Sequence, residues 1–181
     1  MRIITMAAAF LTALAAMAAD TASAQSPGPG NMSFSGRLVA EPCMLDPADR
    51  TRELDFRGVA TSQIYASGRS ASRPITLHLQ NCDITEGRTR IKVTLIGNPS
   101  PLLPGHLNLN AGGATGVAIG LETKGGIALP LNQATAVGTL SSGANDIVIN
   151  AFLRGEPDAL SHRTINQGDI NATVTFAFSY D

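Results

Sequence analysis

Tryptophan is absent, cysteine occurs only twice, and charge is sparse and balanced: 13 Lys and Arg stand against 14 Asp and Glu in 181 residues, for a formal net charge of -1. Without a basic excess there is no electrostatic footprint for nucleic acid, so no nucleic-acid partner is expected. Long apolar runs are missing beyond the N-terminus, so no later stretch can cross a membrane as a helix. A sustained 3.6-residue apolar period is missing as well, which argues against a helical bundle.

Catalytic signatures are also absent. There is no Gly-x-Ser-x-Gly elbow and no glycine-rich loop ahead of a lysine. His78, His106 and His162 lie far apart, and none has a second ligand at i+2 or i+4 to build a zinc site. His78 alternates with Thr76 and Gln80 and is expected on the polar face of a strand, while His106 and His162 read as solvated loop residues. Asp46, Asp49, Glu53 and Asp55 are interleaved with Arg50 and Arg52, the pattern of a solvated charged edge. The glycines at 112, 113 and 116 read as a turn. The expectation is a protein that is not an enzyme and has no cofactor and no metal.

What is present begins with a targeting segment. Arg2 precedes an Ala-rich apolar run at 3–19, and Ala22-Ser23-Ala24 matches a small-residue cleavage site, so 1–24 reads as a signal peptide and the mature chain starts near Gln25. Export gives the cysteines a meaning, because an even count in an oxidising compartment points to a bridge between Cys43 and Cys82. Closing a loop of about 40 residues stabilises a fold by roughly 4 kcal/mol in the chain-entropy model.

After a Pro-Gly leader at 26–30, expected to be flexible, the chain repeats one grammar. Met32, Phe34, Gly36, Leu38 and Ala40 alternate with Ser33, Ser35, Arg37 and Val39. Runs at 52–56, 75–82, 90–96, 117–121 and 147–153 follow, separated by clusters of Gly, Pro, Asn and Asp. These predict short strands and an all-β sandwich. The last strand is the strongest: Ile170, Ala172, Val174, Phe176, Phe178 and Tyr180 share one face, and Asn171, Thr173, Thr175, Ala177 and Ser179 the other. The sequence stops at Asp181, which leaves open what this strand takes as its second neighbour.

The order of these features resembles pilin subunits of the chaperone-usher pathway, especially the small adaptor and tip subunits of P-type and type 1 pili. The residues that carry the resemblance are Phe34-Ser35-Gly36-Arg37-Leu38 ahead of Pro42-Cys43, Leu79-Gln80-Asn81-Cys82, Leu103-Pro104-Gly105-His106-Leu107, Gly126-Ile127-Ala128-Leu129, and Gly168-Asp169 with Tyr180 next to last.

The resemblance implies an incomplete immunoglobulin-like sandwich lacking its last strand and completed by donor-strand exchange. It divides the mature chain into a donor extension running into the first strand (25–41) and a pilin domain (42–181). Met32, Phe34, Gly36 and Leu38 become the donated row. Ala172, Val174, Phe176, Phe178, Tyr180 and Asp181 become the acceptor groove and chaperone-binding strand. Gly36 suits a close backbone approach, a β-bulge or turn being the other reading. Tyr180 either packs at a strand end or, with the Asp181 carboxylate, meets the chaperone. The implied partners are a periplasmic chaperone, an outer-membrane usher and other pilin subunits, with export through the periplasm to the cell surface and a role in adhesion. The Pro-Gly leader and the Leu-Pro-Gly-His stretch lean toward a minor or adaptor subunit. A terminator, a tip adhesin, a secreted carbohydrate-binding module and a small secreted β-sandwich enzyme are the alternatives.

Overall fold

The computed structural model describes residues 32–36 and 41–181; the segment read as a signal peptide, the Pro-Gly leader and residues 37–40, with Leu38, lie outside the described residues. Residues 32–36 fall in a unit, Met1–Leu38, separate from the compact unit Val39–Asp181. They form no regular element, and Met32 and Phe34 are 83% and 90% exposed.

In the compact unit, period-two alternation produces strands because it gives each strand one apolar face to bury. The strands are β1 (Met44–Leu45), β2 (Arg73–Cys82), β3 (Arg90–Ile96), β4 (Val117–Thr123), β5 (Thr135–Thr139), β6 (Gly143–Gly155) and β7 (Thr175–Tyr180). They form two antiparallel sheets, one in the order β1-β2-β6-β4 and the other in the order β5-β3-β7. The facing rows make the core: Leu77 and Leu79 of β2, Ile119 and Leu121 of β4, and Ile147, Ile149 and Leu153 of β6 meet Ile91, Val93 and Leu95 of β3. The architecture is an immunoglobulin-like sandwich.

The outer face of the four-stranded sheet is also covered in one place. Phe152 of β6 lies directly across from Gly120 of β4, where a Cβ would come within 2.3 Å of the ring, so glycine is needed for the phenyl to lie flat. The Arg69 guanidinium stacks 3.4 Å above that ring and grips Glu122 through both terminal nitrogens, at 3.1 and 2.8 Å. Cation–π contact and the bidentate pair together keep Phe152 buried on a face that would otherwise be wet.

Several elements differ from the sequence reading. Residues 52–56 form no strand: Leu54 and Phe56 turn inward, but the backbone joins no ladder. Two short helices appear, α1 (Thr61–Ser67) and α2 (Pro157–His162), and His162 ends the second rather than lying in a loop. β5 is a further strand. Asp49 is not part of a solvated edge. It is 2% exposed, and its Oδ2 accepts from the His78 backbone N–H at 2.6 Å and lies 2.7 Å from His78 Nδ1. These contacts, the backbone bond first, hold its carboxyl below the ordinary 3.8. No helix among the described residues is long and apolar enough to cross a membrane.

Candidate functional site: an open trough beside the terminal strand

β7 occupies one edge of its sheet. Among the described residues it pairs antiparallel with β3 alone, Tyr180 opposite Ile91, Phe178 opposite Val93, and Phe176 opposite Leu95. Side chains directly opposite in a ladder share a face, so these pairs should be equally buried if both flanks were covered. They are not. Ile91, Val93 and Leu95 are 0 to 3% exposed, whereas Phe176, Phe178 and Tyr180 are only half-buried.

The alternation of the terminal segment runs from 170 to 180 without a break, each of Ile170, Ala172, Val174, Phe176, Phe178 and Tyr180 half-buried and each residue between them exposed. Only its second half is laddered. Upstream, the segment is tied to a loop, with the Asn110 N–H donating to Asn171 O at 2.8 Å and the Ala114 N–H to Asp169 O at 2.9 Å. Gly113 and Gly168 permit this junction, since a Cβ on Gly113 would sit 2.2 Å from Asp169 O and one on Gly168 2.6 Å from Ala114 N.

The second wall is the stretch that failed to become a strand. It follows a short 3-10 turn (Pro47–Asp49) and runs from 50 to 60 before α1. Between the walls the core is open to solvent in two places. A cavity of about 450 Å³ has Val174 and Phe176 on one side and Arg50, Thr51 and Arg52 on the other, with Leu45, Ile75, Leu77, Leu95, Leu121 and Ile149 as its floor. A second, of about 360 Å³, lies against residues 165–170 and 59–64, with Val117 and Leu153 beneath. Two extended segments without a shared ladder thus flank an aliphatic trough. An unpaired edge beside an aliphatic cavity is a template for a further strand.

At the far end the chain is anchored. The Asp181 N–H donates to Arg90 O at 3.0 Å, the Arg90 N–H returns a bond to Asp181 O at 3.1 Å, and Lys92 Nζ pairs with the Asp181 carboxylate. Burial, with Glu41 nearby, pushes the Tyr180 phenol above its usual range. Cys43 and Cys82 are joined in a disulfide beside β1 and the end of β2. His106 lies edge-on to Phe152 at 6.3 Å, away from the trough walls. No cluster of three or more His, Cys, Asp or Glu residues that could hold a metal occurs among the described residues.

A family model described as fimbrial protein matches residues 32–181. The chain belongs to the fimbrial protein family. It is similar to long polar fimbria protein A of Salmonella typhimurium, 29% identical over 174 residues that span 94% of each chain. It is similar too to the fimbrial adapter PapK of Escherichia coli, 27% identical over 156 residues, 83% of this chain and 87% of PapK. Among solved structures, the P pilus rod subunit PapA superposes with a TM-score of 0.65 at 21% identity, covering 78% of this chain and 100% of PapA. A chain from a chaperone-usher pilus gives 0.67 at 23% identity, covering 86% and 98%. These two share the fold. This fimbrial subunit is a structural protein of a fimbria, carried through the periplasm to the cell surface, and its relatives are structural fimbrial proteins.

Of the row singled out in the sequence, Val174 and Phe176 line the larger cavity and Ile170 the smaller, whereas Ala172, Phe178, Tyr180 and Asp181 line neither, and the opposite wall was not singled out. Arg50 and Arg52 stood in a run of alternating charges with nothing local to say that they flank an apolar opening. Leu54 and Phe56 were the available signal, an alternating pair that now faces the core beside that wall.

Proposed function

We propose that this fimbrial subunit assembles by strand donation. A neighbouring subunit's N-terminal strand lies in the trough beside residues 170–180, and this chain's Met32, Phe34, Gly36 and Leu38 enter the trough of another subunit. Before assembly a periplasmic chaperone occupies the same place, meeting Tyr180 and Asp181 at the strand end, and an outer-membrane usher exchanges one strand for the other. The role is structural, with adhesion as its consequence, and involves no catalysis.

The observation that carries the reading is the contrast across one ladder, buried residues on β3 facing half-buried partners on β7 above an open aliphatic floor. The exposure of Met32 and Phe34 supports the donor half. Burying Met32, Phe34 and Leu38 contributes about 1.5–3 kcal/mol each before ordering costs.

The test extends the mature chain after Asp181 with a flexible linker and a donor strand from another fimbrial subunit. The linked strand acts at high effective concentration. The expected product is a soluble monomer whose melting midpoint rises by roughly 10 °C, at about 2–4 °C per kcal/mol for a chain of this size. Asp in place of the strand's central apolar residues should abolish the gain, because an unpaired charge resists burial. A stable, two-state unmodified chain whose melting ignores every added strand would overturn the reading.

A further inference from the structure

The trough is not electrically neutral. Arg50 and Arg52 line the larger cavity, and no carboxylate does. Arg52 is partly engaged, with Nη1 3.5 Å from Asp49 Oδ1 and its side chain 44% exposed. Arg50 is exposed, and among the described residues no ion pair or side-chain hydrogen bond occupies its guanidinium. On the opposite side, Thr173 and Thr175 offer hydroxyls that offset no charge. A strand seated there points one row at the aliphatic floor and the alternate row toward solvent, past two guanidinium groups.

The chain's own candidate donor fits this rim poorly. Between Gln25 and Ala40 its single charged residue is Arg37, which alternates with Ser33 and Ser35 in the row opposite Met32, Phe34, Gly36 and Leu38. Like charges disfavour a second copy, and electrostatic complementarity is what selects among strands of equal hydrophobicity. We infer that the trough selects a strand from an unlike subunit, one carrying Asp or Glu in its outward row beside the apolar residue that fills the larger cavity. This inference rests on the strand-donation reading and adds the partner's chemistry to it. The subunit then stands between unlike neighbours, as an adaptor does.

The test appends a linker and a copy of residues 31–40 after Asp181 and alters the copy alone: unchanged, Ser33→Glu, Ser35→Glu or Arg37→Glu, each with a matching Gln version. Melting is recorded at low salt and near 1 M NaCl, where the Debye length is about 3 Å. At low salt at least one Glu copy should melt about 2–4 °C above both the unchanged copy and its Gln version. The gap should close at high salt and vanish with Arg50→Gln in the subunit, a substitution at an exposed side chain that breaks no ion pair or side-chain hydrogen bond among the described residues. If every copy stabilises the chain equally, or the gap survives Arg50→Gln, the charge preference is overturned while strand donation stands. If no copy stabilises the chain although the donor strand of another fimbrial subunit does, the charge preference is overturned; if that strand fails as well, both are.

Discussion

Leu95 and Phe176 face each other across the β3–β7 ladder, yet Leu95 is 3% exposed and Phe176 is only half-buried. The difference predicts a mutation whose cost depends on occupancy. Leu95→Ala should destabilise the chain by about 2–5 kcal/mol with or without an appended strand. Phe176→Ala should cost far less in the bare chain and approach the 3–5 kcal/mol of a fully buried phenylalanine once the strand is in place. Urea unfolding of these four variants and their two parents, with and without the strand, measures both, and equal Phe176→Ala costs would mean that nothing covers this face.

Removing residues 25–38 should separate the two halves of the assembly cycle. The shortened subunit keeps β7 and its trough, so on the strand-donation reading it should still co-purify with a periplasmic chaperone. Without Met32, Phe34 and Leu38 it should fail to insert into a neighbour, read as loss of heat-resistant ladders in sheared fibres. Fibres as abundant as those of the full chain would contradict this.

The disulfide gives a third expectation. Cys82→Ser frees a loop with a sequence separation of 39, and the chain-entropy model puts the loss near 4 kcal/mol, a large share of a typical domain's stability. Periplasmic yield should fall sharply. Thiol titration of the unmodified protein under denaturing conditions should find no free cysteine.

Acid should act through Asp49. Its folded-state pKa lies below 3.8, so the stability it contributes is complete above that ordinary value and drains away as pH falls through the depressed one. Asp49→Asn should be less stable than the parent at neutral pH, and the gap should narrow below about pH 4. Denaturant midpoints measured from pH 7 to pH 2 test this, and a gap that widens on acidification would contradict it.

Much of the trough could be read from the sequence, for identifiable reasons. β3 runs over the residues where Ile91, Val93 and Leu95 alternate, and the row from Ile170 to Tyr180 keeps its phase along its whole length. Period two is a local property, so it survives in one chain's sequence. The burial of Asp49 is not local, because it depends on His78, 29 residues away. Residues 52–56 carry a strand's alternation but no backbone partner, and strand character needs both. β5, Thr135–Thr139, has five residues and a glycine, and α2 spans fewer than two turns, too short for any period to show.

The Cys43–Cys82 bond also fixes how the subunit meets a mechanical pull. Tension applied to the N-terminal segment enters the domain at Cys43, and the disulfide passes it directly to the end of β2, a strand held on both sides by β1 and β6. The bond closes residues 44–81 into a covalent loop that takes in α1 and all of β2 but Cys82. That loop contains β1, the 3-10 turn and the 50–60 wall of the trough. On the strand-donation reading, a pull that a seated strand exerts on this wall is passed back to β1 and β2 within one covalently closed unit.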